Sequence, residues 1–174
     1  MQWLLLEDLD DQPAEWVDWL HDARPALQAD AEVLAAMPRS LDHPDVNSSN
    51  AILCEDGCVV LLDWEEATAG CPLFSLDRLL EDADEHSAVE RVISAYLDRF
   101  PWAGLREVES ALRLVPLKLA IEYRAFARGL GLPNPHSRLT TRLLKLARER
   151  SIWRPGDPLR HLSQIPSAPP VQSA

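Results

Sequence analysis

The stretch that decides the fold is residues 41–66. It opens with Leu-Asp-His-Pro-Asp-Val-Asn-Ser-Ser-Asn and continues with two apolar runs, Ala-Ile-Leu-Cys at 51–54 and Cys-Val-Val-Leu-Leu at 58–62. Glu-Asp-Gly separates the two runs, and Asp-Trp-Glu-Glu follows them. Short apolar runs joined by an Asp-Gly turn predict a β-hairpin. The polar residues before it, which include Pro44, predict a loop over 41–50.

A hairpin would bring Asn50 and Asp63 together, because one residue precedes its first strand and the other follows its second. His43, Asp45 and Asn50 form the pattern His-x-Asp-x-x-x-x-Asn just ahead of it. Carboxylate and amide oxygens suit Mg²⁺, which binds through few protein groups together with substrate phosphates. Asp45 would orient or deprotonate an attacking hydroxyl, and His43 would support the loop. The pattern therefore favours phosphoryl transfer from a nucleotide.

Two other interpretations use the same residues. Asp45-x-Asn47-x-Ser49-Asn50, with Asp56 in the twelfth place, resembles a calcium-binding EF-hand loop. Pro38 and Pro44 argue against its entering helix, and it gives Asp63 no role. The second alternative is a non-catalytic helical binding or interaction module whose acidic loops are merely solvated.

Composition narrows the class of protein. The chain has 174 residues, enough for one domain with a real core, and a net charge of −11. Residues 1–110 hold 25 Asp and Glu against 6 Arg and no Lys, whereas 111–174 hold 3 acids against 11 Lys and Arg. The acidic majority argues against nucleic acid as a partner and favours a cationic small molecule, or simply solubility. No apolar run is long enough for a membrane span, and three cysteines predict reduced thiols in a cytoplasmic protein.

The rest of the chain is predicted to be mostly helical, so the fold class is α+β. An opening strand at 3–6 precedes two helices at 13–22 and 24–37. A loop at 67–72 leads to a helix at 73–83, followed by a helix at 87–100. The pattern stays helical over 105–130, where Pro116 kinks the helix or divides it in two. A basic helix at 137–150 comes last, and a Pro- and Ser-rich tail at 154–174 is predicted to be disordered.

These residues resemble the C-terminal lobe of the aminoglycoside phosphotransferase/choline kinase family, which has a protein-kinase-like fold. The family carries His-Gly-Asp-x-x-x-x-Asn, a hairpin and then (Ile/Leu)-Asp-(Trp/Phe)-(Glu/Gly). Here the corresponding segments are His43–Asn50 and Leu62–Glu65. Residues 70–76, Gly-Cys-Pro-Leu-Phe-Ser-Leu, are similar to the family's Gly-Asp-Pro-x-x-Asp-Leu, and 4–9 are similar to its hinge strand. The resemblance covers residues 1–153: a hinge-like strand at 1–9, the loop and hairpin at 41–66, and a helical substrate region at 73–150.

The resemblance implies a small-molecule kinase that uses ATP and Mg²⁺. Asp45 would be the catalytic base, and Asn50 and Asp63 the metal ligands. Ile52 and Leu62 would lie beneath adenine, with the backbone near Glu7 at its edge. A cationic, hydroxylated acceptor would meet acidic side chains, with these candidates: Glu65, Glu66, Glu81 and Asp82.

The sequence departs from the family in three ways. Pro44 replaces the usual Gly. Cys71 and Ser75 replace Asp, so we expect a weakened or lost brace behind the catalytic loop. No Gly precedes Gly57 and no Lys precedes Lys118, so the Gly-rich loop and phosphate-anchoring Lys of the N-terminal β lobe are missing. We therefore expect a truncated enzyme with little activity alone, for which upstream sequence or a separate chain supplies that lobe, or a pseudokinase-type binding module.

Overall fold

A computed structural model describes the following residues: 9, 11–81, 83, 86–131, 137–153 and 157. Several predictions fall on the remaining positions and lie outside the described residues. They are the opening strand at 3–6, the hinge role of Glu7, the acceptor role of Asp82, and the tail at 154–174 apart from Asp157.

Five α-helices and four short strands make up the described chain, which is α+β and mostly helical as predicted. The helices are α1 (Ala14–Ala35), α2 (Ser75–Glu81), α3 (His86–Arg99), α4 (Leu105–Gly129) and α5 (Ser137–Ser151). The strands are β1 (Ser40–Asp42), β2 (Ala51–Leu53), β3 (Val59–Leu61) and β4 (Thr68–Gly70). Single turns of 3₁₀ helix occur at Ser48–Asn50, Trp64–Glu66 and Pro72–Phe74. No helix in the described chain is both long enough and apolar enough to cross a bilayer.

The predicted hairpin is confirmed. Strands β2 and β3 pair antiparallel with Ile52 opposite Val60, and Gly57 takes the positive φ of 83° that its turn requires. The loops predicted at 41–50 and 67–72 are wrong in part, because β1 and β4 lie there and pair antiparallel, with Leu41 opposite Ala69. Strands this short carry no readable alternation of apolar and polar residues.

The prediction of two helices between residues 13 and 37 is also wrong, because α1 runs unbroken through Pro25. Leu20, Leu27 and Leu34 are buried at intervals of seven residues, so one apolar stripe continues across the proline. Burial of that stripe stabilises the helix and offsets the free energy lost because Pro25 has no N–H to donate.

Pro116 does not divide the chain into two helices either, since α4 also continues through it. A proline has no N–H, and Pro116 therefore leaves the carbonyl of Leu112, four residues earlier, without its helical donor. The buried side chain of Arg150 in α5 donates to this carbonyl from Nη1 at 2.8 Å. An arginine on a neighbouring helix thus compensates the proline.

The described residues form two compact units. The first contains the chain up to Ala36 together with Glu107–Trp153, and the second contains Met37–Arg106. In the first unit α1 packs on α5, and Asp30 forms a largely buried ion pair with Arg113 at 2.7 Å. In the second unit α2 packs against α3. The second unit holds all the candidate site residues that the structure describes.

Candidate functional site

Asp45, in the loop ahead of β2, accepts hydrogen bonds on both carboxylate oxygens. Oδ1 accepts from Nη2 of Arg78 at 2.9 Å, Nε of Arg78 at 3.2 Å and Nδ2 of Asn47 at 3.0 Å. Oδ2 accepts from Nδ2 of Asn50 at 2.7 Å. These contacts fix the orientation of a carboxylate whose side chain is still 43% exposed.

Asn50 is positioned from two sides. Its Nδ2 also donates to the backbone carbonyl of Asp45 at 2.9 Å. The side chain of Asn47 caps the 3₁₀ turn by accepting from the backbone N–H groups of Ser49 and Asn50. Because the amide nitrogen of Asn50 is committed to Asp45, its Oδ1 is the atom left to serve as a ligand.

The hairpin brings Asp63 to the same end as Asn50, as predicted. The N–H of Leu62 donates to the carbonyl of Asn50 at 2.9 Å, and Asp63 is the next residue. Asp63 has φ 60° and ψ 56°, and it is the one residue other than glycine with positive φ among the described positions. Its side chain is exposed and makes no capping hydrogen bond to the 3₁₀ turn that follows it. A left-handed conformation costs energy for an L-residue, and such strain occurs often at functional sites.

His43 holds the segment ahead of Asp63 in place. The ring is buried, and its Nε2 lies 2.8 Å from the carbonyl oxygen of Leu62. Since a carbonyl only accepts, Nε2 carries the proton and donates. The ring also meets Trp64 edge-on, with centroids 4.8 Å apart. His43 therefore contacts the backbone next to Asp63, and its supporting role stays a prediction.

A hydrogen-bonded brace lies behind the loop. The N–H of His43 donates to Oγ of Ser75 at 2.9 Å, and this hydroxyl donates to Oδ1 of Asp42 at 2.7 Å. All three residues are buried. A Ser–Asp pair thus ties the loop to the start of α2. Burial, with the charge of Asp42, also raises the pKa of the nearby Cys71 thiol.

Ser75→Ala tests this brace. We expect a loss of about 2–3 kcal/mol in the free energy of unfolding, because the buried N–H of His43 and the carboxylate of Asp42 both lose a partner. Chemical denaturation measures it. Ser94→Ala, at an exposed position in α3, is the matched control and should change stability by less than about 0.5 kcal/mol. Equal effects of the two substitutions would contradict the brace.

The donor set fits a magnesium ion that arrives with a nucleotide. Asn50 Oδ1 and the carboxylate of Asp63 are two hard oxygen donors at one end of the hairpin, and phosphate oxygens would complete the octahedron. Among the described residues no group of three or more His, Cys, Asp or Glu is placed to hold a metal ion.

The geometry disfavours the calcium loop. Asp56 lies in the turn between β2 and β3 and accepts from the N–H of Cys58 at 3.0 Å. Asp45 lies before β2, and the three residues of that strand extend about 10 Å. The first and twelfth positions of the supposed loop are thus held apart.

The remaining predicted site residues lie around this core. Ile52 and Leu62 share one face of the hairpin with Val60, and they are 50% and 41% exposed. Glu65 and Glu66 are exposed in the 3₁₀ turn directly after Asp63. Glu81 pairs with Arg78, which places it next to the residue that contacts Asp45.

Arg78 is the site residue that sequence reasoning missed. It lies 33 positions after Asp45 and on another element, so no local pattern joins them. One signal was available, because Arg78 is the single Lys or Arg in residues 40–90. Burial opposes its charge, but Glu81 and Asp45 outweigh burial and raise the pKa of Arg78.

Comparisons with protein-family models, with curated proteins and with solved structures find no match to this chain.

Proposed function

We propose that this chain carries the metal- and acceptor-binding half of an ATP-dependent kinase for a small-molecule hydroxyl, similar to the aminoglycoside phosphotransferase/choline kinase family. The observation that carries the proposal is that three oxygen-bearing residues lie at one end of the hairpin. Asn50 bonds directly to Asp45, and the backbone pairing of Asn50 with Leu62 places Asp63, the next residue, at that end.

Each residue has a distinct role in this proposal. Asp45 accepts a hydrogen bond from the acceptor hydroxyl and takes up its proton as phosphorus is attacked. Asn50 and Asp63 hold the nucleotide's Mg²⁺, which neutralises phosphate charge when bound. His43 keeps the peptide before Asp63 fixed, so that the carboxylate is oriented before the nucleotide arrives.

The hairpin surface supports a nucleotide site that a second element covers. Ile52, Val60 and Leu62 form an exposed apolar face, which suits the flat adenine ring. The opposite face exposes Leu53 and Val59 at 74% and 59%. A two-stranded hairpin exposed on both faces gains little stability in water. We infer that a phosphate-binding lobe, in the same or another polypeptide, packs over it.

The acceptor follows from the charge around the site. Glu65 and Glu66 are exposed, and the single cation among residues 40–90, Arg78, is paired with carboxylates. A hydroxylated molecule with amino or quaternary ammonium groups complements this surface.

The experiment is an NMR titration of the ¹⁵N-labelled chain with Mg²⁺–ATP. We expect binding with Kd on the order of 1 mM and negligible turnover, because the phosphate-anchoring lysine is missing. Asp63→Ala should abolish binding, whereas Asp56→Ala, a matched acidic substitution at the far end of the hairpin, should not. Phosphorylation of an alcohol by the chain alone, lost on Asp45→Ala, would contradict the inactivity.

A second candidate function is a non-catalytic binding module, and a different result of the same titration would support it. In that case Asp63→Ala would leave the ligand affinity unchanged. Calcium binding that depends on Asp56 and not on Asp63 would instead restore the calcium loop.

A further inference from the structure

Arg78 is bound to two carboxylates at once. Nε and Nη2 both donate to Oδ1 of Asp45, at 3.2 and 2.9 Å, and Nη1 pairs with Glu81. Both ion pairs are partly solvent-exposed, since the Arg78 side chain is 35% exposed and its partners are 43% and 49% exposed. Water therefore competes for the guanidinium in both.

The ion pair between Arg78 and Asp45 covers Oδ1 of the proposed catalytic base. Each carboxylate oxygen offers about two lone-pair directions. Oδ1 of Asp45 already accepts three hydrogen bonds, two of them from Arg78, whereas Oδ2 accepts one. An acceptor hydroxyl that donates its proton to Oδ1 therefore needs a direction that these contacts fill. Asn47 and Asn50 belong to the loop that shapes the site, so the contacts of Arg78 are the ones that can be released without dismantling it.

The site also needs a cation for the transferring phosphoryl group. Arg78 is the only Lys or Arg within residues 40–90. Asp45 links it to Asn50, because the Asp45 carboxylate accepts hydrogen bonds from both side chains. A guanidinium binds phosphate through two parallel hydrogen bonds. With a doubly charged phosphate these bonds are stronger than those to a partly exposed carboxylate.

We propose that Arg78 is the phosphate-binding cation of this site, held on Asp45 in the ligand-free chain and transferred to the terminal phosphate of the bound nucleotide. The same movement uncovers Oδ1 of Asp45 for the acceptor hydroxyl. This inference rests on the proposed function, because it needs a nucleotide at Asn50 and Asp63.

The test compares Mg²⁺–ATP with adenosine, by NMR titration of the wild-type chain and of Arg78→Gln. Losing the charged contact should weaken Mg²⁺–ATP binding about tenfold or more, in line with the strength of a charge-assisted hydrogen bond, and leave adenosine binding unchanged. Arg91→Gln, at an exposed position in α3 of the same unit, removes an equal charge and should leave both affinities within about twofold.

A second variant does not alter Arg78 and keeps the test valid if Arg78→Gln fails to fold. Asp45→Asn removes the carboxylate charge that holds the guanidinium, so Mg²⁺–ATP should bind more tightly than to the wild-type chain. Removing any carboxylate beside a triphosphate reduces repulsion, so Glu65→Gln, which removes an equal charge in the turn after Asp63, is the matched control. If Asp45→Asn strengthens Mg²⁺–ATP binding no more than Glu65→Gln does, Arg78 only braces the loop and the proposal is wrong.

The outcomes separate the two proposals. A wild-type chain that binds no Mg²⁺–ATP overturns both. Binding that Asp63→Ala abolishes, but that Arg78→Gln leaves unchanged or strengthens, upholds the proposed function and overturns the role of Arg78.

Discussion

Arg150→Met is expected to lower the free energy of unfolding by about 2–4 kcal/mol. The side chain is buried, and its Nη1 donates to the carbonyl of Leu112 at 2.8 Å. That carbonyl has no helical donor, because Pro116 occupies the position four residues later. Methionine fills similar volume but cannot donate, so a buried carbonyl remains unsatisfied at a cost of about 1–3 kcal/mol. The guanidinium also lies over the Trp153 ring, 5.4 Å from its centroid, and loss of this cation–π contact adds to the destabilisation.

A double-mutant cycle isolates the cause. In Pro116→Ala the new backbone N–H can reach the Leu112 carbonyl, so the cost of Arg150→Met should fall by about 1–2 kcal/mol in that background. Arg142→Met, at an exposed position of α5, is the control and should change stability by less than about 0.5 kcal/mol. Urea denaturation provides all the free energies. A coupling energy near zero would mean that Arg150 does not compensate the proline.

His43→Ala is expected to have the largest combined effect on stability and ligand binding. It removes a buried ring, the hydrogen bond to the Leu62 carbonyl and the contact with Trp64. We expect a loss of about 2–4 kcal/mol in the free energy of unfolding. Mg²⁺–ATP affinity should fall as well, because the peptide ahead of Asp63 is no longer fixed. Denaturation and the NMR titration measure the two effects.

Two further variants separate the hydrogen bond from the packing. His43→Gln keeps an N–H donor, so it should retain more Mg²⁺–ATP affinity than His43→Ala. Trp64→Phe keeps an aromatic ring beside His43 and loses only the donation from Nε1 to the Leu61 carbonyl. It should cost about 1 kcal/mol. A stable His43→Ala variant with unchanged nucleotide affinity would show that His43 does not position Asp63.

The hairpin and the proximity of Asn50 to Asp63 could be predicted because both follow from local rules. The Asp-Gly turn closes the hairpin, and the strand ends then meet wherever the strands have equal length. Helices α3 and α5 could also be predicted, since their apolar residues recur at helical spacing. None of this required knowledge of tertiary contacts.

Other features depend on residues distant in sequence, which local rules do not reveal. Pro116 lacks an N–H, and the donor that replaces it at the Leu112 carbonyl comes from Arg150. Ser75 lacks a carboxylate, and Asp42 supplies one to the brace. Arg78 carries no local signal of its contact with Asp45. In each case the partner lies more than 30 positions away in the chain.

The most direct test of the proposed function is paramagnetic broadening by Mn²⁺–ATP, in which Mn²⁺ replaces Mg²⁺. We expect the amide signals of Asn50 and Asp63 to broaden first, and we expect Asp63→Ala to remove this broadening and Asp56→Ala to preserve it. Broadening centred on the turn at Asp56, or no site-specific broadening at millimolar Mn²⁺–ATP, would contradict a nucleotide–metal site at this end of the hairpin.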